Sequence, residues 1–321
     1  MVCVPQLDEV LDGLHVVSLP MRVRFRGITV REVVLIEGPV GWGEFGAFPE
    51  YEPPEAVFWL ASAVEAAYRV PPDVRRDRIP INATVPAVVA AQVPEVLARF
   101  SGARTAKVKV AEPGQTLADD VARVNAVRAL VPRVRVDANG GWSVDEAAEA
   151  AAALTADGPI EYIEQPCATV PELAALRRRV DVLIAADESI RKADDPLRVV
   201  RSKAADVAVL KVAPLGGVAR MLEIAGQIDI PIVVSSALDS AVGIGRGLLA
   251  AAALPELPYA CGLGTGGLFV DDIAESVEPV DGFLPVAPVV PDPARLAALA
   301  AAPERRRWWI DRIRACYPLM S

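Results

Sequence analysis

The chain has 321 residues, 53% of them apolar, and a net charge of −9. That length buries a large core and suits one barrel-sized domain or two smaller ones. The acidic balance argues against a nucleic-acid partner, and no run approaches the roughly 18 uncharged apolar residues of a membrane span.

The opening MVCVPQLDEV has neither the basic start nor the apolar core of a signal peptide, so the chain reads as soluble and cytoplasmic, without a membrane partner. Cys3, Cys167, Cys261 and Cys316 are dispersed and form no CxxC pair, which excludes a zinc cluster and suits a reducing compartment. The single histidine, His15, removes most Ser-His-Asp, Cys-His and His-metal chemistries. A general base must then be Lys, Asp, Glu or Tyr.

Residues 14–45 alternate like antiparallel strands with a Gly-Pro turn, and EPPEAVFWLASAVEAAYRV (52–70) reads as a helix opened by prolines. Residues 1–79 thus form a small α+β unit. From residue 80 the pattern changes. Short β-branched runs at 80–85, 105–110, 134–139, 160–165, 182–188, 206–212, 230–236 and 258–263 alternate with Ala/Leu-rich stretches of helical period. The intervening helices fall near 86–99, 116–130, 143–156, 170–179, 194–203, 217–227 and 239–253. Eight strands with seven helices between them predict an α/β fold, a closed parallel barrel over 80–265. Residues 266–321 lose that rhythm and are expected to cross back and complete the first unit. Within them LPVAPVVPDPAR (284–295) is a connector and PERRRWWIDRIR (303–314) a surface helix with Trp308 and Trp309 turned inward.

Charged residues gather at the strand ends, where barrel enzymes place their chemistry. Asp137, Glu164 and Asp187 end three consecutive strands, 27 and 23 residues apart. Neighbouring strands lie about 4.8 Å apart, so three carboxylates there repel unless a cation joins them. All-oxygen ligation favours Mg²⁺, or Mn²⁺, over Zn²⁺. Asn139, two residues past Asp137, faces the same way. Glu188 should point elsewhere, and Glu161 is expected at the surface.

Lys107 and Lys109, in TAKVKV, share one face of their strand. Lys109 stands one strand before Asp137 and Lys211 one strand after Asp187. The second and sixth strands oppose each other across a barrel mouth, so a lysine flanks whatever binds between them. Lys107 adds like charge beside Lys109, which favours a neutral, basic amine there. This layout implies removal of a proton α to a carboxylate, with a divalent cation offsetting the charge of the resulting enediolate.

The motifs KVK (107–109), VDANGGW (136–142), EQP (164–166), ADES (186–189) and LKVAPLGG (210–217), in that order, resemble the enolase superfamily, in particular its muconate-cycloisomerase-like branch. GWGEFGAF (41–48) is similar to that group's capping loop. The resemblance spans nearly the whole chain and implies a (β/α)7β, TIM-like barrel with an α+β capping domain. PMRVRFRGITVREVVLIEGPVGWGEFGAF, ADESIRKADDP, VVSSALDSAVGIG and CGLGTGG look more closely like the actinobacterial o-succinylbenzoate synthases of menaquinone biosynthesis. In that family 2-succinyl-6-hydroxy-2,4-cyclohexadiene-1-carboxylate loses water to give 2-succinylbenzoate, a lyase reaction on a small-molecule carboxylate.

By that resemblance Lys109 is the base, Lys211 the cation facing the enediolate, and Asp137, Glu164 and Asp187 the Mg²⁺ ligands. Ser235, Ser236, Gly262, Gly264 and Thr265 are candidates to bind the succinyl carboxylate, beside Asn139. Arg22, Arg24 and Arg26 alternate along one cap strand, where a solvated edge and a substrate contact are both open. N-succinylamino acid racemisation, dipeptide epimerisation and muconate cycloisomerisation use the same lysine pair and stand as alternatives. A Schiff-base aldolase and a non-enzymatic scaffold are the readings outside that superfamily. Oligomeric state stays open, a monomer being compatible with the sequence.

Overall fold

A computed structural model of the chain describes residues 5–25, 27–191, 195–275 and 277–320. Cys3 and Arg26 therefore lie outside the described residues. A short helix α1 (Leu7–Asp12) leads into β1 (Leu14–Phe25), β2 (Ile28–Glu37) and β3 (Trp42–Phe45), an antiparallel sheet in that order. Helix α2 (Pro53–Tyr68) begins on two prolines, whose missing N–H groups cost nothing in a first turn, and packs on β3. Gly43 permits this approach: a Cβ there would lie 1.9 Å from the Ala63 carbonyl oxygen.

Strand β4 (Arg78–Pro80) leads to β5 (Ala83–Val85) and the short helix α3 (Val93–Leu97). Pro86 and Pro94 confine the helix expected at 86–99 to this one turn and a 3₁₀ turn before it. Then come β6 (Thr105–Lys109), α4 (Leu117–Arg128), β7 (Arg133–Asp137), α5 (Val144–Thr155), β8 (Ile163–Glu164), α6 (Val170–Arg177) and β9 (Ile184–Ala186). Helices α4, α5 and α6 each open with a reciprocal capping box, Thr116 with Asp119, Ser143 with Glu146, and Thr169 with Glu172. Helices α7 (Glu188–Arg191) and α8 (Arg198–Arg201), β10 (Val207–Leu210), α9 (Val218–Ala225), β11 (Ile232–Val234) and α10 (Ala241–Ala253) complete the series.

Strands β5 to β11 form one parallel sheet in sequential order. The eighth strand expected at 258–263 is reduced to two parallel bridges, Ile81 to Cys261 and Ser235 to Gly262. These still close the barrel. Cys261 N–H donates to Pro80 O (2.7 Å) and Gly262 N–H to Val234 O (2.8 Å). The chain then runs through β12 (Phe283–Pro285), which pairs with β4, to α11 (Pro293–Ala298) and α12 (Pro303–Cys316).

Residues 299–301 lie along β1, and α12 packs on α2. Arg312 donates to the carbonyls of Ala47 (3.1 Å) and Phe48 (2.7 Å). Trp309 is buried and donates to Glu32 (3.0 Å), while Trp308 is half-buried. No helix among the described residues is long and apolar enough to cross a membrane.

Side chains alternate between the barrel interior and the helix-facing side. Tyr162, Ala185, Val207, Val209 and Val233 pack together as a small cluster separate from the main core. The fully buried Arg135 joins them, donating to Tyr162 Oη (2.8 Å), Ala260 O (2.9 Å) and Glu161 Oε2 (2.5 Å). Glu161, expected at the surface, thus serves this interior arginine.

Candidate active site

The interior rows lead directly to the charged residues. Two residues beyond Arg135, Tyr162, Ala185, Val209 and Val233 stand Asp137, Glu164, Asp187, Lys211 and Ser235. Because strand faces repeat every second residue, all of these, with Lys107 and Lys109, point inward at the C-terminal mouth. Lys109, Asp137 and Glu164 are direct partners across β6, β7 and β8. Asp187 is staggered: Glu164 pairs with Ala185, so Asp187 stands two residues further up and keeps the same face.

Lys107 Nζ bridges Glu164 Oε1 (2.7 Å) and Asp137 Oδ2 (3.1 Å). Lys109 Nζ bonds Asp137 Oδ2 and Asn139 Oδ1, both at 2.5 Å. Lys211 Nζ bonds Asp187 Oδ2 (2.6 Å) on the opposite side. Asn139 Nδ2 donates to Glu188 Oε1 (3.2 Å), so Asn139 links the base side of the mouth to Glu188. Asp137, Glu164 and Asp187 are at most 1% exposed.

The electrostatics follow from burial and these pairs. Burial disfavours every charge here. Lys109 and Lys107 overcome it at Asp137, which is held well below the carboxylate range; Lys211 and Arg191 do the same for Asp187. Burial, then the nearby Asp137, pushes Glu164 up to about 7, with Lys107 opposing. Burial also disfavours charge on Lys107, but Glu164 and Asp137 more than offset it and hold that ammonium firmly protonated. The Lys107 ammonium beside Lys109 is thus paired with two acids. Burial lowers Lys211 despite Asp187.

Three neighbouring residues escaped the sequence reading. Arg191 Nε donates to Asp187 Oδ1 (3.1 Å), with its other nitrogens on Tyr51 Oη (2.8 Å) and Glu188 Oε1 (2.6 Å). Its signal was an arginine four residues after Asp187, one helical turn away. Gln165 Oε1 accepts from Asp187 N (3.0 Å) and Ser189 N (3.1 Å), fixing the turn after β9. Phe25, at the cap hairpin, lies over Lys109 (5.5 Å from Nζ to the ring centroid). Ala111, Asn139, Gln165 and Leu238, all just past strand ends, adopt positive φ (59°, 48°, 39° and 64°), the kind of backbone strain that collects at functional sites.

Ser235, Ser236, Gly262 and Thr265 line the same small cavity as Lys107, Lys109, Asp137, Asn139 and Lys211. Ser236 Oγ and Thr265 Oγ1 share a hydrogen bond (2.7 Å). Gly264 lies on the other side of its turn, against a larger cavity of about 790 Å³ that contains none of the charged cluster. Size alone therefore does not mark the chemistry. The charged cavity measures about 30 Å³, room for one or two waters, with Phe25 on its wall.

The carboxylates share one mouth but not one point. Among the described residues no three His, Cys, Asp or Glu side chains gather closely enough to hold an ion as they stand. The lysines account for this by drawing carboxylate oxygens to their ammonium groups. The donor chemistry still fits a hard dication: three buried, oxygen-only acids on adjacent strands, two of them already bridged by a single cationic centre.

A family model for enolase C-terminal domain-like proteins matches residues 89–292, and one for enolase N-terminal domain-like proteins matches residues 16–67. An o-succinylbenzoate synthase of Mycolicibacterium smegmatis is 80% identical over 317 residues, 99% of each chain. That of Mycobacterium leprae is 77% identical over 99% of this chain and 95% of its own. That of Mycobacterium tuberculosis is 75% identical over 98% and 97%. Among solved structures, muconate lactonizing enzyme from Pseudomonas fluorescens, complexed with muconolactone, superposes with a TM-score of 0.76 at 22% identity, covering 90% of this chain and 98% of that one. An N-succinyl Arg/Lys racemase from Bacillus cereus gives 0.74 at 18%, covering 90% and 97%, a likeness of fold.

Proposed function

The chain belongs to the o-succinylbenzoate synthase family of the enolase superfamily, and we propose that it removes water from 2-succinyl-6-hydroxy-2,4-cyclohexadiene-1-carboxylate to give 2-succinylbenzoate, a step of menaquinone biosynthesis. It is a hydro-lyase. Its relatives at 75–80% identity carry that name, whereas the racemase resembles it in fold at 18%.

Lys109 as a free amine takes the proton α to the ring carboxylate. The resulting ammonium returns that proton to the departing hydroxide, so one water leaves and the ring becomes aromatic. Lys211, on the other flank, stays an ammonium and donates to the enediolate oxygen as charge develops there. Asp137, Glu164 and Asp187 are the residues that would hold Mg²⁺, or Mn²⁺ in its place. When bound, that cation offsets negative charge on the substrate carboxylate as the proton departs. Lys107 keeps Asp137 and Glu164 oriented. Ser235, Ser236, Gly262 and Thr265 offer hydroxyl and N–H groups to the succinyl carboxylate, and Asn139 fixes Lys109. The reading takes the chain as a cytoplasmic enzyme acting on a small carboxylate, compatible with a monomer and with no nucleic-acid or membrane partner.

One observation carries this reading: two lysine Nζ atoms stand on opposite flanks of one row of acids, at 2.5 Å from Asp137 and 2.6 Å from Asp187. The test follows aromatisation of the cyclohexadiene substrate by ultraviolet absorbance and, in parallel, racemisation of N-succinyl amino acids by optical rotation, with Mg²⁺ and with excess chelator. Mg²⁺-dependent formation of 2-succinylbenzoate is expected. Its absence, with the N-succinyl amino acids racemised instead, would transfer the chain to the racemase reading.

A further inference from the structure

The first turn of a helix carries N–H groups with no acceptor inside the helix. At two barrel helices beside the site the acceptor comes from the cap. Glu44, on β3, is 7% exposed. Its Oε2 accepts from Ser240 N (3.0 Å), Ser240 Oγ (2.5 Å) and Gly243 N (3.1 Å), at the start of α10. Glu65, on α2, takes Val218 N (2.9 Å) and Ala219 N (3.3 Å) on Oε1, at the start of α9, and faces Arg246 of α10 at 3.8 Å.

Helix α9 follows β10, with Lys211 the first residue past that strand, and α10 follows β11, with Ser235 and Ser236 just past its end. Two glycines make room for the carboxylates. A Cβ at Gly217 would lie 2.0 Å from Glu65 Oε2, and one at Gly243 would lie 2.9 Å from Glu44 Oε2. The intervening loop is held from the same side. Arg31, also of the cap, donates to Leu238 O (3.0 Å), where φ is +64°, and Asp239 Oδ2 accepts from Ala237 N (2.9 Å).

We propose that Glu44 and Glu65 are positioning residues of the reaction: acceptors through which the seated cap orders the two barrel helices and, behind them, the strand ends bearing Ser235, Ser236 and Lys211. The inference rests on the dehydration assigned above for its kinetic readout. Glu44 acts on the substrate-binding side, so its loss falls on KM. Glu65 acts on the Lys211 side, so its loss falls on kcat. Most donors converge on one Glu44 oxygen, so an amide oxygen can replace it, whereas a side chain one methylene shorter cannot reach both Ser240 N and Gly243 N.

The experiment compares Glu44→Ala, Glu44→Asp, Glu44→Gln and Glu65→Ala in the full chain with Mg²⁺, with amide hydrogen exchange of residues 235–243 measured in parallel. The expected result is a rise in KM of about tenfold or more for Glu44→Ala, since buried donors lose their acceptor and the wall its register. Glu44→Asp shifts KM the same way and Glu44→Gln restores it. Glu65→Ala lowers kcat by about tenfold, the loss expected when a charged group at the reacting centre is misplaced. Exchange at Ser240 and Gly243 speeds up in Glu44→Ala and not in Glu44→Gln. Unchanged KM with unchanged exchange in Glu44→Asp and Glu44→Ala, or a Gln variant as impaired as Ala, overturns the inference. If the wild-type chain fails to turn over the cyclohexadiene substrate, the dehydration reading falls, and the exchange data still decide whether Glu44 orders the loop.

Discussion

Replacing each flanking lysine by both alanine and arginine separates the base from the cation. A guanidinium keeps the positive charge but does not give up its proton at neutral pH. Lys109→Ala leaves Asp137 with Lys107 at 3.1 Å and the Asn139 N–H at 3.1 Å, so no buried acid is stranded and the fold persists. Lys211→Ala leaves Asp187 with Arg191 at 3.1 Å, again a paired acid. Loss of a general base costs about 10²–10⁴ in rate, roughly 3–5 kcal/mol of barrier, and Lys109→Arg should be as inactive as Lys109→Ala. Lys211 acts by charge and donation, whose loss costs about 10²–10³, so Lys211→Arg should recover at least about tenfold over Lys211→Ala. The assay is kcat by ultraviolet absorbance at saturating Mg²⁺, with thermal unfolding to check integrity. A Lys109→Arg variant within tenfold of wild type would refute the base assignment. Equal loss in Lys211→Arg and Lys211→Ala would remove the argument from charge.

Lys107→Met removes the ammonium 2.7 Å from Glu164, leaving a buried acid that burial already pushes up to about 7. Urea unfolding should show a loss of about 3–5 kcal/mol, and less than about 1 kcal/mol would mean that the bridge is slack. Trp309→Ala empties the cap side of α12 and strips an indole bond from Glu32; a loss of about 3–5 kcal/mol is expected in the same measurement. Asp272, whose carboxyl accepts from Ala241 N and Ile273 N, is pushed by burial from the ordinary aspartate range, near 3.8, up to about 6. The folded state therefore binds its proton more tightly than the unfolded chain. Stability from this group is present below about pH 4 and lost as pH rises through 6, by roughly 3 kcal/mol at most. Asp272→Asn should flatten the stability curve between pH 4 and 6, and an unchanged slope would show that other acids carry it.

Much of the site was legible because strand periodicity and strand-end position are local properties. Once Lys109, Asp137 and Lys211 are placed at the C-terminal ends of barrel strands, parity alone turns them inward. Register is not local, which is why Asp187 stands two residues beyond the row set by Lys109, Asp137 and Glu164. The eighth strand was overextended for a related reason. Residues 258–263 include two glycine- or proline-bearing positions and need only two bridges to close the barrel. Long-range partners were invisible: nothing near Glu44 in the chain announces Ser240, and nothing near Phe25 announces Lys109. Glu161 was misjudged because it was weighed against its sequence neighbours, whereas Arg135 decides its place.

The paired lysines Lys107 and Lys109 on a buried strand are a matter of charge balance. With every group charged, the four cations Lys107, Lys109, Lys211 and Arg191 balance the four acids Asp137, Glu164, Asp187 and Glu188. A dication entering alone would add two buried positive charges, and the dicarboxylate alone two negative ones; either is costly in a site this enclosed. Together they leave the balance unchanged. Metal and ligand should therefore strengthen each other's binding, by the same factor in both directions. Titrations of Mg²⁺ with and without saturating 2-succinylbenzoate read this directly, and about fivefold or more tighter Mg²⁺ binding in its presence is expected from typical coupling energies. Equal affinities would mean that the lysines and acids do not act as one balanced set, and that the ammonium groups now on the carboxylates are displaced by the metal without help from the substrate.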